Sequence, residues 1–450
     1  LKIKHLDVAQ IPLVSLGRRY FIGKKLFTLY NEFMDNLSIL GVRISNLDRA
    51  QLLAQAKGFL ADGKQHFIVT PNPEILLAAT HDEELFYILN SADIALGDGI
   101  GLKFAGWMSG VNLQRVTGAD FSADLLALAV EDLSSEASAK GGKIKVGILI
   151  WKNGLSKRAE LEEALRAKYP QLDFFVSAMD RESDAKLGEE FIKFAPQIIL
   201  VGFGFPYQEK FIFHNLKNIP SAKILIGVGG TLDFITGKRR RAPQIIRTIG
   251  LEWFWRFLFS PQIVGQKRTK RIWNAVFVFP REFFIRKFIH PLFYRQNIAC
   301  LLYKKAGDRY QILIAERREE SGHWQLPQGG TDGEKLLIAG ARELREELNT
   351  DKFIPKRVFK NVYRYKFGNR PGETSIQAKT RQRHTGYKGQ SQGLFIAEFT
   401  GRDEDIKVNY WDHSAWKWID SDKLVDEVHL IRKRATQRFL KKFKEFVKQK

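Results

Sequence analysis

A chain of 450 residues, 44% hydrophobic and 27% charged, has the make-up of a folded globular protein but is too long for one ordinary core, so two or three domains are expected. Cys300 is the single cysteine, which excludes an intrachain disulfide framework and fits a reducing cytoplasm. The net charge of +22 favours anionic partners such as phosphates, nucleic acid or an acidic lipid surface, with a merely solvated basic surface as the bland alternative.

No stretch reaches the roughly 18 apolar residues that span a bilayer. Residues 1–33 read as a leader, an upstream extension of the true start. Leu1 is not an initiating residue, Met34 directly precedes the first organised segment, and charges interrupt the apolar run 11–30 in a way a secretion signal does not tolerate.

Residues 34–262 alternate strand and helix patterns. Phe67–Val69 is a short buried-strand run stopped by Thr70-Pro71-Asn72-Pro73, and Ala92–Leu96 is another, ending at Gly97-Asp98-Gly99. Strands over 143–151, 172–176, 197–201 and 224–228, with helices over 156–168 and 183–194 between them, predict βαβ units and a mostly parallel, Rossmann-like sheet. Ligands of such sheets sit beyond the carboxyl ends of the strands, where these short motifs lie.

Residues 263–294 change character: Lys and Arg are interleaved with Trp, Phe, Ile and Tyr around a single acid, Glu282, and Pro280 breaks the run. From 295 onward, strands over 297–303 and 310–315 flank a turn at Gly307. No internal repeat is visible.

The sharpest signal is WQLPQGGTDGEKLLIAGARELREE, Trp324 to Glu347. The pattern is helical from Glu334, with Asp332 as a suitable N-cap. Glu343, Glu346 and Glu347 lie at i, i+3 and i+4, so their carboxylates share a face and repel unless a cation joins them. Mg²⁺ binds through a few carboxylates plus substrate phosphates, and Gly329 and Gly330 would let backbone approach a phosphate. The alternative is an acidic solvated helix face.

This segment resembles the Nudix box on Glu334, Arg342, Glu343, Leu344, Glu346 and Glu347, with a glycine loop one residue short and Asn349 in place of the final glycine. The resemblance implies an α/β/α Nudix fold with a mixed sheet over 295–450. It also implies Mg²⁺ (Mn²⁺ as the alternative) on Glu343, Glu346 and Glu347, and Arg342 positioning them. Gly322–Gly330, Gly389–Gln392, His413 and Trp416-Lys417-Trp418 resemble the RNA pyrophosphohydrolase and dinucleoside-polyphosphate hydrolase branch. Glu404 or Asp405 is then a candidate extra carboxylate, and Tyr363, Arg364 and Lys366 candidates to stack on a base or hold phosphate.

In the front domain, Asp98 occupies a glycine-rich turn between strand and helix, where a carboxylate can act as general base. Read alone, it is better explained as a structural turn. Together with Arg115–Asp120, Pro206–Glu209, Gly227–Phe234, Arg241-Ala242-Pro243 and Gly250–Trp253, it resembles the WecG/TagA/CpsF glycosyltransferases over about 36–262.

That resemblance implies inverting, metal-free transfer of an N-acetylmannosamine-type sugar from UDP to N-acetylglucosamine on undecaprenyl diphosphate. It puts the base at Asp98, with Thr70 and Asn72 lining the sugar site. Gln208, Glu209, Gly229 and Gly230 are candidates for the UDP side. Arg239, Arg240, Arg241, Arg247 and Arg256 are candidates for the acceptor diphosphate, and Arg115 is a further substrate-binding candidate.

An enzyme acting on a lipid diphosphate must meet the membrane, so the basic aromatic segment reads as a peripheral anchor on its inner face. An interdomain helix is the alternative. A competing reading makes the Nudix half alone catalytic, acting on 5′-triphosphate RNA or dinucleoside polyphosphates, with the front domain a nucleotide-, lipid- or nucleic-acid-binding module. Oligomeric state is open.

Overall fold

The protein is seen in a computed structural model that describes residues 36–132, 143–182, 186–248, 250, 252, 254–255, 272–368 and 386–449. The leader 1–33, residues 263–271 and Arg256 lie outside the described residues. The chain forms two compact units: one of residues up to 37, 43–72 and 92–261, the other of residues 38–42, 73–91 and those from 262 onward.

A hairpin of β1 (Asn36–Ile39) and β2 (Val42–Ser45) opens the described chain. The first unit is built on a six-stranded sheet of β3 (His66–Val69), β4 (Ile94–Ala95), β5 (Lys145–Trp151), β6 (Asp173–Met179), β7 (Ile198–Gly202) and β8 (Ile224–Gly227), in the order β4-β3-β8-β7-β5-β6. Every pairing is parallel, as expected of βαβ units.

The strands are near-continuous apolar runs because helices cover the sheet. Ile148, Leu200 and Ile226 meet Leu125, Leu161 and Leu165 in one core. The order matters for function. β4, β3, β8 and β7, whose ends carry the sequence motifs, are four consecutive neighbours.

The helix expected over 183–194 is shorter, Glu189–Phe194, because Gly188 serves as its N-cap; residues 183–185 are outside the described set. The helix expected from Ser156 begins at Arg158, capped by Lys157.

In the second unit, β9 (Tyr294–Ala306), β10 (Arg309–Arg317), β11 (Trp324–Gln325), β12 (Gln328–Gly330), β13 (Phe353–Lys366), β14 (Gly389–Phe399) and β15 (His413–Asp420) form one mixed sheet. β14 pairs parallel with β9, and the other pairings are antiparallel.

Period-two alternation sends β9 side chains to two cores. Ala299, Leu301 and Tyr303 face the helix Leu430–Lys448, and Ile298, Cys300 and Leu302 face the helix Leu336–Leu348. Phe439, Phe443 and Phe446 are buried on the first face, each worth about 1.5–3 kcal/mol. On the second, a side chain at Gly340 would run into the Phe395 ring, so the glycine sets how close that helix lies to the sheet.

Pro280 does not break the basic aromatic segment. Helix continues from Asn274 to Leu292 through π turns at Asn274–Val278 and Ile285–Ile289, with Pro280 at the start of the α stretch Phe279–Phe284. Proline removes an N–H and its ring crowds the preceding turn, but its φ is helical, and a junction between helical types accommodates it. Phe279 and Phe283 are buried, whereas Trp273, Phe277, Phe284, Phe288 and Leu292 are exposed.

Candidate active sites

In the second unit, the loop from β12 and the helix Leu336–Leu348 bring Glu334, Glu343 and Glu346 onto Arg342, while Glu347 lies with Asp412 and His413; among the described residues Glu343, Glu346 and Glu347 are not a group whose ligand atoms all lie within 4.8 Å of one another. Asp332 is not the cap. The helix starts at Leu336 with Lys335 at the N-cap, and Asp332 sits in a left-handed turn with φ of 46°.

Arg342 is the organiser. Its Nη1 donates to Glu343 Oε1 at 2.9 Å and Glu346 Oε2 at 2.8 Å, its Nε to Glu334 Oε2 at 2.9 Å, and its Nη2 to the Gly330 carbonyl at 2.7 Å. Glu343 and Glu347 point inward and are buried, while Glu346 is half exposed on the rim.

A side chain at Gly329 would occupy the place of the Glu343 carboxylate, and one at Gly330 that of the Arg295 guanidinium.

Burial, aided by Glu347 and Glu83, pushes the Glu343 carboxyl up to about 9. Glu347 is raised as well, chiefly by burial, although His413 Nε2 lies 2.9 Å from its Oε2 and the Gln328 N–H is 3.2 Å away. Such acids favour a proton or a cation. The donor set is all oxygen around Glu343 and Glu346, which suits Mg²⁺.

Asp412 and His413 complete a second trio with Glu347, their ligand atoms within 4.8 Å of one another. These two residues were missed as site residues. His413 opens β15, and the pairing of β15 with β10, together with Asn409 donating to the Glu346 and Glu347 carbonyls, brings it to Glu347. The Asp412 carboxylate lies beside Glu347 in that trio. Asp405 instead accepts the Arg402 N–H in a local turn, and Glu404 is exposed. Arg364 packs over the Tyr294 ring, with Tyr363 half-buried and Lys366 exposed on β13.

In the first unit the motifs meet at the carboxyl edge of the sheet. Thr70 follows β3, is buried, and donates to the Gly227 carbonyl at the end of β8. Asp98 follows β4, and its N–H donates to Pro71 at 3.0 Å, which ties its loop to the Thr70–Asn72 loop. Gly99, with φ of 107°, lets the chain turn from Asp98 into the helix Ile100–Met108. Asp98 and Asn72 are half-buried.

Gln208 and Glu209 lie inside. Gln208 Oε1 accepts from the Gly204 and Gly229 N–H groups at 3.2 and 2.9 Å, bracing the β7 and β8 loops together, and its Nε2 donates to Glu209 at 2.8 Å. Burial pushes Glu209 up to about 7. Gly230 lies beside Arg239.

The basic candidates divide. Arg241 pairs with Asp120 at 2.6 Å, while Arg115 donates to the Arg247 carbonyl at 2.6 Å and stands 3.8 Å from Glu252. Burial works against it, yet Thr117, Arg241 and Arg247 together hold Asp120 below the usual carboxylate range. Arg256 is outside the described residues.

The profile of the glycosyl transferase WecG/TagA/CpsF family matches residues 37–288. The chain belongs to that family. A NUDIX domain profile matches residues 293–439, so a Nudix domain follows the transferase domain.

Similar proteins include the N-acetylglucosaminyldiphosphoundecaprenol N-acetyl-beta-D-mannosaminyltransferase of Staphylococcus aureus strain MRSA252, 30% identical over 52% of this chain and 88% of that protein. The enzyme of the same description from strain NCTC 8325 / PS 47 is 29% identical over the same shares. Among solved structures, a C. elegans Ap4A hydrolase binary complex is similar at 20% identity and a TM-score of 0.26, covering 35% of this chain and 99% of that one. An E. coli dihydroneopterin triphosphate pyrophosphohydrolase is similar at 20% identity and a TM-score of 0.25, covering 33% and 97%.

Proposed function

We propose that the chain carries two activities. The transferase domain moves an N-acetylmannosamine-type sugar from UDP to N-acetylglucosamine on a polyprenyl diphosphate, inverting the anomeric centre. Asp98 takes the proton of the acceptor hydroxyl, and Thr70 and Asn72 line the sugar site. Gly229 and Gly230 stand on the UDP side, held in place by the buried Gln208 and Glu209, and Arg115, Arg241 and Arg256 draw the acceptor diphosphate.

The Nudix domain hydrolyses a nucleoside diphosphate-linked substrate. Glu343, Glu346 and Glu347 would hold Mg²⁺, which supplies charge to clamp phosphate and to activate water. Arg342 holds Glu343 and Glu346 in register for it.

The observation that carries the hydrolase reading is the Arg342 fork joining Glu334, Glu343 and Glu346. Glu346→Gln is expected to abolish Mg²⁺-dependent phosphate release from nucleoside polyphosphates, and unchanged turnover would remove the metal-ligand role. For the transferase, Asp98→Asn is expected to stop sugar transfer with UDP binding intact, a loss of about 10²–10⁴-fold for a general base. Full transfer by that variant would refute the assignment.

Peripheral attachment to the inner face of the membrane belongs to the same reading. The exposed rings of Trp273, Phe277, Phe284 and Phe288 beside Arg281 and Lys287 support it. Among the described residues no helix is long and apolar enough to cross a membrane.

A further inference from the structure

Residues Pro73–Ser91 lie inside the transferase match, 37–288, yet fold with the second unit. The helix Pro73–Ala79 packs against the stretches Asn274–Val278 and Phe279–Phe284. The helix Glu83–Ser91 follows it. Asp82 caps this helix, its Oδ1 accepting the Leu85 N–H at 2.9 Å, and Leu85, Ile88 and Leu89 are buried. Glu84 and Tyr87, three residues apart, share another face.

That face meets Tyr410. The Tyr410 hydroxyl donates to Glu84 Oε1 at 2.6 Å, and the Tyr87 and Tyr410 rings meet edge-on with centroids 6.4 Å apart. A hydrogen bond to a carboxylate is shorter and roughly twice as strong as one between neutral groups. Tyr410 shares a short loop with Asp412 and His413, the two groups that stand beside Glu347.

The loop 409–413 is also tied from within the Nudix match. The Asn409 N–H donates to the Glu347 carbonyl at 3.1 Å, its Nδ2 to the Glu346 carbonyl at 3.2 Å, and its Oδ1 accepts the Asp412 N–H at 3.0 Å. Arg318 donates to the Tyr410 and Asp412 carbonyls at 2.8 and 2.9 Å. These bonds hold loop backbone and Asn409. The Tyr410 side chain is taken by Glu84, 326 residues earlier in the chain.

Glu83 marks the start of that helix as close to the hydrolase carboxylates. Its side chain meets solvent, yet the protein around it, and then the charges of Glu347, Asp412 and Glu346, push its carboxyl up to about 7.

We propose that Glu84 is a positioning residue for the hydrolase: through Tyr410 it holds the loop 409–413, and so Asp412 and His413, in place beside Glu347. The proposal rests on the hydrolase reading above. A segment inside the transferase match thereby contributes to the order of the Nudix site. Packing accounts for Leu85, Ile88 and Leu89, but not for a carboxylate set against the phenol of the loop that carries two site residues.

The test is steady-state hydrolysis of diadenosine tetraphosphate with Mg²⁺ by the full chain. Glu84→Ala and Tyr410→Phe are each expected to lower kcat by about tenfold or more, with KM within about twofold of wild type, given that a 1 Å misplacement costs about 100-fold. Glu84→Gln keeps an acceptor for the phenol and is expected to restore most of kcat. Glu84→Ala/Tyr410→Phe is expected to be no slower than either single variant, because both remove the same bond. Amide hydrogen exchange of the loop 409–413 is expected to speed up in both single variants, with β9 and β14 unchanged.

Wild-type kcat and unchanged loop exchange in Glu84→Ala and Tyr410→Phe overturn the proposal. So does a kcat loss in Glu84→Ala that Tyr410→Phe does not share, which makes Glu84 act by its charge and not through the loop. A wild-type chain that releases no phosphate removes the hydrolase reading instead. Loop exchange then still decides whether Glu84 holds the loop: faster exchange in both variants supports it, and unchanged exchange overturns it.

Discussion

Gly329 and Glu343 compete for one volume: a methyl group on the glycine would stand where the glutamate carboxylate lies. The buried position of Glu343 therefore depends on a missing side chain fourteen residues away in sequence. Gly329→Ala is expected to push the carboxylate aside and cut hydrolysis by roughly 100-fold, the scale of a 1 Å misplacement. The fold should persist, since β12 is short and at the rim of the sheet. Steady-state kinetics beside a circular dichroism spectrum checks this, and wild-type turnover would mean that Glu343 is not held where catalysis needs it.

Metal and pH are linked at the same place. The Glu343 carboxyl sits at about 9 in the fold against an ordinary 4.5. A raised carboxyl stabilises the fold fully below its unfolded value, and that contribution is lost as pH climbs through the folded value. Stability of the metal-free protein is thus expected to decline between about pH 4.5 and pH 9, and Mg²⁺ to restore more at pH 8.5 than at pH 6. Thermal melts with EDTA or with Mg²⁺ at those two pH values measure it. Glu343→Gln should flatten the metal-free dependence.

Gln208 braces two loops of the transferase unit from inside. Gln208→Ala leaves the Gly204 and Gly229 N–H groups without that acceptor, and a buried unmade hydrogen bond costs about 1–3 kcal/mol. The expected outcome is a lower urea midpoint together with weaker UDP binding by calorimetry. Weaker UDP binding at unchanged stability would instead favour direct contact by Gln208.

Membrane contact is tested on the aromatic helix. Phe277→Ser/Phe284→Ser/Phe288→Ser removes exposed rings without touching buried Phe279 and Phe283. Co-sedimentation with anionic liposomes is expected to fall severalfold at unchanged melting temperature. Replacing Arg281 and Lys287 by Gln should remove about 1 kcal/mol each. A wild-type protein that never sediments with such vesicles removes the anchor.

Local chemistry was legible where spacing alone defines geometry. The pair Glu343 and Glu346, three residues apart, needs only a helix to meet on Arg342, and apolar runs such as 145–151 need only a buried sheet. Asp332 misled because an aspartate before a helix looks like a cap, whereas the Gly333 turn moved the helix start to Leu336. Pro280 misled because proline usually ends a helix, and a π-to-α junction absorbed it.

The amino-acid sequence by itself determined two domains, a parallel sheet followed by a Nudix box, and the residue types able to do the chemistry, because periodicity and short motifs are set by neighbours along the chain. Only the tertiary structure decided that β4, β3, β8 and β7 lie side by side and so gather Asp98, Thr70, Gly229 and Gly204 on one edge. It alone also decided that Asp412 and His413, which open β15, stand beside Glu347. Strand order and cross-sheet register arise from how whole faces pack, and no local run of residues encodes that.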